Sequence, residues 1–118
     1  NKLENFTCEG ASGMERMKEI MAGLRENSPK TIGGVKVIAV ADYKSGVKTN
    51  TDGTTEKITL PKSDVITFSL DDAASVIIRP SGTEPKIKVY YTTKGADKAA
   101  AVKLQQALSA DFTKILGF

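Results

Sequence analysis

Residues 75–92 read SVIIRPSGTEPKIKVYYT, in which a short turn separates two β-rich runs. β-Branched and aromatic residues dominate Ser75–Arg79 and Lys86–Thr92, and such residues favour strands. The connecting loop, Arg79–Pro85, contains a glycine and two prolines, which commonly interrupt regular structure. Because so short a connection joins antiparallel neighbours, this segment predicts two adjacent antiparallel strands.

Two more strands are predicted upstream of this pair. The segment Asp64–Leu70 alternates along its length, and one of its faces carries Ile66, Phe68 and Leu70. The segment Val35–Val40 follows two glycines and is also rich in β-branched residues. Between these strands, residues 44–61 are polar and predict a surface excursion with a turn at Asp52-Gly53.

Apolar residues recur at helical spacing on both sides of the predicted strands. A helix over 12–26 begins at a possible capping box, Ser12 with Glu15, and its apolar stripe is Met14, Met17, Met21 and Leu24. A second helix over 96–116 has the stripe Ala101, Leu104, Leu108, Phe112 and Ile115. Each stripe must be buried, so the sequence predicts an α+β fold, a mainly antiparallel four-stranded sheet with two helices packed on one face.

The first ten residues show no periodic pattern and are interpreted as a linker or disordered end. The remaining residues, 11–118, are enough for one domain. Cys8 is the only cysteine, so no internal disulfide can form, and we expect a reduced thiol near a frayed end. With no signal peptide visible and no apolar run near the roughly 20 residues that span a bilayer, the sequence indicates a cytoplasmic protein with no membrane partner.

The loop between the last two strands has the residues of an anion site. Gly82 lets backbone amides turn toward a ligand, and Ser81 and Thr83 add hydroxyl donors. The guanidinium of Arg79 matches two phosphate oxygens, and Lys88 on the next strand offers a second cation. An ordinary hairpin turn with a solvated arginine is the alternative interpretation.

The string Arg-Pro-Ser-Gly-Thr-Glu-Pro, followed by Lys-Ile-Lys-Val-Tyr, resembles the C-terminal phosphate-binding signature of the α-D-phosphohexomutases, the phosphoglucomutases and phosphomannomutases. Enzymes of this family have four domains and move a phosphoryl group between the 1- and 6-positions of a hexose. The resemblance implies that residues 11–118 are the C-terminal domain of a larger mutase. It also implies that the non-reacting phosphate is held by Arg79, Ser81, Gly82, Thr83 and, as a weaker candidate, Lys88. Glucose, mannose and glucosamine remain open as the hexose.

The rest of the family's machinery is not found in this sequence. It contains no histidine, no serine-histidine phosphorylation site and no Asp-Gly-Asp metal loop. The pair Asp71-Asp72 lies in a predicted turn and is interpreted as a solvated hairpin tip. We therefore expect no catalytic residue and no metal ligand here, Mg²⁺ in the full-length enzyme, and an isolated fragment without mutase activity. The implied partners are a hexose phosphate or bisphosphate and the preceding domains.

Two alternatives from other classes stay open. A four-stranded sheet backed by two helices can be an RNA-binding platform, or the domain can be purely structural. Such a platform needs exposed aromatics for base stacking, whereas Tyr90 and Tyr91 point to opposite faces of one strand. A net charge of +3 is also small for nucleic-acid binding, so no nucleic-acid partner is expected.

Overall fold

The computed structural model describes residues 2–8, 10, 12–59, 61–71, 74–81, 84–93 and 98–116. Within these ranges the strands are β1 Lys2–Thr7, β2 Thr31–Ile32, β3 Val35–Asp42, β4 Val47–Asn50, β5 Thr55–Lys57, β6 Ile66–Leu70, β7 Ser75–Pro80 and β8 Lys86–Thr92. The helices are α1 Gly13–Glu26 and α2 Lys98–Leu116. Neither described helix is long and apolar enough to cross a membrane.

The strands form an antiparallel sheet in the order β1-β8-β7-β6-β3-β4-β5, and β2 pairs with β3 off this path. The four strands expected from the sequence correspond to β3, β6, β7 and β8, which are neighbours at the centre of the sheet. The predicted α+β architecture is therefore confirmed. The expected width of four strands is wrong, because further strands pair at both edges.

Both helices cover the same face of the sheet, as their apolar stripes predicted. Their buried side chains join one core cluster and are Met17, Met21, Leu24, Leu108, Phe112 and Leu116. From α2, the ring of Phe112 packs edge-on against Phe68, with centroids 5.9 Å apart. From α1, Arg25 reaches Asp42, the strand partner of Ile66. Ile66 and Phe68 are two residues apart on β6, so their side chains lie on the same face of the sheet. Since α2 contacts Phe68 and α1 reaches the strand partner of Ile66, both helices cover that face.

Two predicted members of the helical stripes face outward instead. Met14 is 40% exposed and Ile115 is 36% exposed. In α1 the buried Gly13 takes the inward position one turn before Met17, which rotates Met14 away from the sheet. Ser12 stands at the predicted N-cap, but its side chain makes no capping hydrogen bond. The expected helix start at residue 96 and its end at Gly117 lie outside the described residues.

The interpretation of residues 1–10 as a linker or disordered end is wrong for Lys2–Thr7. These residues form the edge strand β1, which pairs with β8 from Lys2 opposite Tyr91 to Thr7 opposite Lys86. Cys8 is also fully buried, so it does not lie in a frayed end. The sequence shows no period-two apolar pattern here, because the two apolar residues of β1, Leu3 and Phe6, are three residues apart and fall on opposite faces of the strand.

The polar excursion over 44–61 contains the short hairpin β4–β5. Its predicted turn at Asp52-Gly53 is confirmed, since Gly53 has a φ of +89° and the Asp52 carboxylate accepts from the Thr54 amide at 2.9 Å. Every residue of β5 is exposed. Backbone pairing rather than side-chain burial therefore holds this edge, and a hydrophobic pattern could not reveal it.

A charged contact ties α1 to the sheet through Arg25. Its Nε lies 3.1 Å from Asp42 Oδ1, and both side chains are 19% exposed. The same carboxylate oxygen accepts from the Lys44 amide at 3.0 Å. Burial raises the pKa of Asp42, but the hydrogen bonds from Arg25 and Lys44 outweigh it, so the net pKa lies below the ordinary value.

This contact predicts a pH dependence of stability. The Asp42 carboxyl has a lower pKa in the folded than in the unfolded state, so it stabilises the fold above about pH 4. That contribution, about 1 kcal/mol for a partly buried pair, is lost as the pH falls through the folded pKa. Urea unfolding from pH 7 to pH 2 should therefore show a steeper loss of free energy in the wild type than in Asp42→Asn. Parallel profiles for the two proteins would contradict the assignment.

Candidate functional site

Two cations face each other across the strands that flank the predicted phosphate loop. Arg79 on β7 is directly opposite Lys88 on β8, so both side chains lie on one face of the sheet. Their neighbours Ile78 and Val89 are fully buried under the helices, so this is the outer face. Like charges directly opposite each other are destabilising, and an anion bound between them removes that cost.

The charges around the loop leave these two cations available. Lys86 Nζ forms an ion pair with Glu84 Oε2 at 2.9 Å. The hydrogen bond from Lys86 is also the main reason that the pKa of Glu84 is lowered. Among the described residues, neither Arg79 nor Lys88 has a carboxylate within ion-pair distance. Within the described part of the chain, an incoming anion would therefore compete with no salt bridge at either side chain.

The described part of the loop is held by its own hydrogen bonds. The Ser81 amide donates to the Lys86 carbonyl at 2.7 Å, and the Lys86 amide donates to the Glu84 carbonyl at 2.7 Å. The Glu84 amide donates to Ser81 Oγ at 3.3 Å. Ser81 thus braces the loop, a role that sequence reasoning did not assign to it. Gly82 and Thr83, the other two predicted contacts, lie outside the described residues.

Arg79, Ser81 and Lys88 meet in an open depression of about 290 Å³. The structure thereby brings together three of the residues that the sequence proposed. A second wall comes from Ser63, Asp64 and Val65, just before β6. Sequence reasoning gave these residues no role, because nothing in a local pattern indicates contact with a loop further along the chain.

The far end of the loop is held by the N-terminal segment of the chain. The Cys8 amide donates to the Pro85 carbonyl at 2.6 Å. Gly13, at the start of α1, packs so closely that an added Cβ would lie 2.0 Å from the Cys8 oxygen and 3.1 Å from Pro85 Cβ. Cys8 and Gly13 were also missed by sequence reasoning. Together they fix the point at which the loop enters β8.

Larger depressions lie elsewhere, including one of about 410 Å³ beside Lys30 and Lys36. Lys36 lies opposite Thr31 of β2, so the two lysines beside this space do not form an opposed pair of cations. The smaller depression is preferred as the site because it combines an opposed pair of cations with an ordered turn. No group of three or more His, Cys, Asp or Glu side chains among the described residues could hold a metal ion.

The outer face does not provide a base-stacking platform among the described strand residues. Tyr91 is buried beneath α2, with its ring 6.4 Å from that of Phe112. Tyr90 lies on the outer face between Ile77 of β7 and Leu3 of β1, with no second aromatic opposite it. A single half-buried tyrosine does not favour the RNA-binding alternative.

Comparisons with known proteins find one matching family model and several similar sequences. The family model described as "Phosphoglucomutase/phosphomannomutase, C-terminal domain" matches residues 5–109. A phosphoglucomutase of Staphylococcus epidermidis is 41% identical over 93 residues, covering 78% of this chain and 17% of the relative. A phosphoglucomutase of Staphylococcus aureus is 42% identical over 96 residues, covering 80% of this chain and 17% of the relative. The chain thus spans about a sixth of the length of these relatives.

Proposed function

Since this chain belongs to the phosphoglucomutase/phosphomannomutase C-terminal domain family, we propose that it binds the non-reacting phosphate of a hexose phosphate during 1,6-phosphoryl transfer. The observation that carries the proposal is the opposed pair Arg79 and Lys88, which has no carboxylate partner among the described residues. The planar guanidinium of Arg79 can hold two phosphate oxygens, and the ammonium of Lys88 adds a point charge. Ser81, Gly82 and Thr83 complete the proposed site.

Anchoring one phosphate gives the domain a positioning role. A substrate held at its non-reacting end presents the other end in a restricted set of orientations. Binding energy from this remote contact can then lower the barrier for a reaction elsewhere. The braces around Ser81 and the tie between Cys8 and Pro85 support this role, because a loop that is already ordered loses less entropy on binding.

We further propose that the domain is the C-terminal part of a larger mutase and that it begins at β1 rather than at residue 11. Pairing of β1 with β8 across the whole of Lys2–Thr7 supports the earlier start. In this proposal the preceding domains supply the phosphorylated serine, the Mg²⁺ site and the sugar-recognition residues, and the enzyme acts in the cytoplasm. Because these relatives are named phosphoglucomutase, we propose glucose phosphate rather than another hexose phosphate as the substrate.

Titration of this chain with glucose 1,6-bisphosphate tests the proposal. Backbone amide shifts should concentrate at Ser81, Lys86 and Lys88, with an affinity on the order of millimolar for a single phosphate site. Arg79→Ala should weaken the affinity that the shifts report by about tenfold or more, whereas the control Lys36→Ala, beside the 410 Å³ depression, should preserve it. Shifts that cluster at Lys30 and Lys36, or no saturable shift at all, would refute phosphate binding at the loop.

A further inference from the structure

Among the described residues, Asp64 is the only carboxylate that lines the 290 Å³ depression. It shares that space with Arg79 and Lys88, and its side chain is 44% exposed. Its ion pair is nevertheless with Arg25 of α1, which donates through Nη2 to Asp64 Oδ1. A negative charge beside an anion site thus has its partner outside that site.

The backbone around Asp64 is fixed independently of its carboxylate. The Val65 amide donates to the Ser63 carbonyl at 2.9 Å, which forms a tight bend. The Tyr43 amide donates to the Val65 carbonyl at 3.0 Å, and the Ser63 amide donates to the Tyr43 carbonyl at 3.3 Å. With the main chain held in this way, the side-chain partner decides where the carboxylate points.

Arg25 is itself held in place. Its Nε is 3.1 Å from Asp42 Oδ1, and its side chain is only 19% exposed. The guanidinium therefore bridges β3 and the wall of the depression, and it offers Asp64 a fixed partner. Without that partner, the nearest cations lining the same space would be Arg79 and Lys88.

We propose that Arg25 is a positioning residue that keeps Asp64 from occupying the place of the phosphate. An unpaired carboxylate in the depression would repel a phosphate dianion or pair with the cations that must receive it. The Asp64 carboxylate would accordingly compete with phosphate for the cations of the site. Arg25 neutralises this carboxylate and holds it toward α1. This inference rests on the phosphate-binding function proposed above.

A double-mutant cycle with inorganic phosphate and glucose 1,6-bisphosphate as probes tests the proposal. Arg25→Gln should weaken binding of both probes roughly three- to tenfold at low ionic strength, and less in high salt, where charges are screened. Asp64→Asn alone should bind at least as tightly as the wild type. The double variant Arg25→Gln/Asp64→Asn should recover the wild-type affinity, because the competitor is gone.

Stability provides the readout that separates positioning from a merely structural role. Arg25→Gln should lower Tm because Asp42 loses its partner, and Asp64→Asn should not restore Tm in the double variant. Asp42→Asn should also lower Tm, but it leaves the contact between Arg25 and Asp64 in place, so its affinity should fall less than that of Arg25→Gln.

Two results would overturn the inference. One is a double variant that binds no better than Arg25→Gln; the other is a loss of affinity in Asp64→Asn, which would make Asp64 a ligand contact. The second result can be obtained even if Arg25→Gln fails to fold. If instead the wild type binds neither probe, or Arg79→Ala binds as the wild type does, the proposed function itself fails.

Discussion

Arg79→Ala is expected to reduce phosphate affinity and the kcat/KM of the full-length enzyme by about ten- to a hundredfold. A charge-assisted hydrogen-bonded contact of this kind is worth about 1.5–3 kcal/mol, which corresponds to that range. Lys88 stands directly opposite and would retain part of the attraction. Arg79→Lys keeps the charge but loses the planar fork, so we expect a smaller, still measurable loss.

The division of this loss between kinetic parameters reports on the role of the loop. A phosphate that stays anchored through the chemical step contributes equally to ground-state and transition-state binding, so its loss raises KM. A hexose that is held less firmly also reacts less often in the productive orientation, so kcat should fall as well. Neither variant should lower Tm, because Arg79 is exposed and has no ion pair among the described residues. Arg79→Ala should raise Tm slightly, since it removes the repulsion from Lys88 on the opposite strand.

Steady-state kinetics and thermal unfolding of the two Arg79 variants provide the measurement. Lys36→Ala is the matched control, because it also removes an exposed cation from a strand. If both Arg79 variants keep the wild-type kcat/KM, the loop is a structural turn and the central assignment is wrong. A fall in kcat/KM together with an equal fall in the control would indicate a general effect of charge.

The central strands could be predicted because their sequence carries a period-two apolar pattern that burial requires. In β6, Ile66, Phe68 and Leu70 all face the helices, and each is at most 2% exposed. The edge strands gave no such signal. β1 is held by backbone pairing with β8 and by a side-chain contact with α2, in which Ser109 Oγ donates to Glu4 Oε1 at 2.6 Å. Neither interaction leaves a local pattern in the sequence.

In the candidate site too, contacts between residues close in sequence could be predicted, whereas contacts between distant residues could not. Arg79, Ser81 and Lys88 belong to one continuous segment, so a hairpin was enough to predict their proximity. Asp64 and Gly13 reach the loop only through the fold, by way of α1 and the bend before β6. Sequence reasoning could identify the anion-binding groups but not the residues that hold or oppose them.

Gly13→Ala is expected to have the largest effect on stability of any glycine substitution in α1. The added Cβ would lie 2.0 Å from the Cys8 carbonyl oxygen, far inside any tolerated contact, and that oxygen is a backbone atom. Cys8 cannot yield easily, since its amide is bonded to the Pro85 carbonyl at 2.6 Å and its side chain is fully buried. Overpacking of this kind costs about 1–3 kcal/mol, occasionally more, which lowers Tm on the order of 10 °C in a domain of this size.

The same substitution at Gly23, within the same helix, should have the opposite sign. No heavy atom lies within 4 Å of an added Cβ there, so Gly23→Ala gains helix propensity without a clash, worth about 0.5–1 kcal/mol. Thermal unfolding of the two variants should therefore shift Tm in opposite directions. The added Cβ would also displace Pro85, at the end of the phosphate loop. Phosphate affinity should therefore drop in Gly13→Ala at temperatures where that variant is folded, whereas Gly23→Ala should keep the wild-type affinity. A Gly13→Ala protein with wild-type Tm and affinity would mean that the N-terminal segment does not fix the phosphate loop.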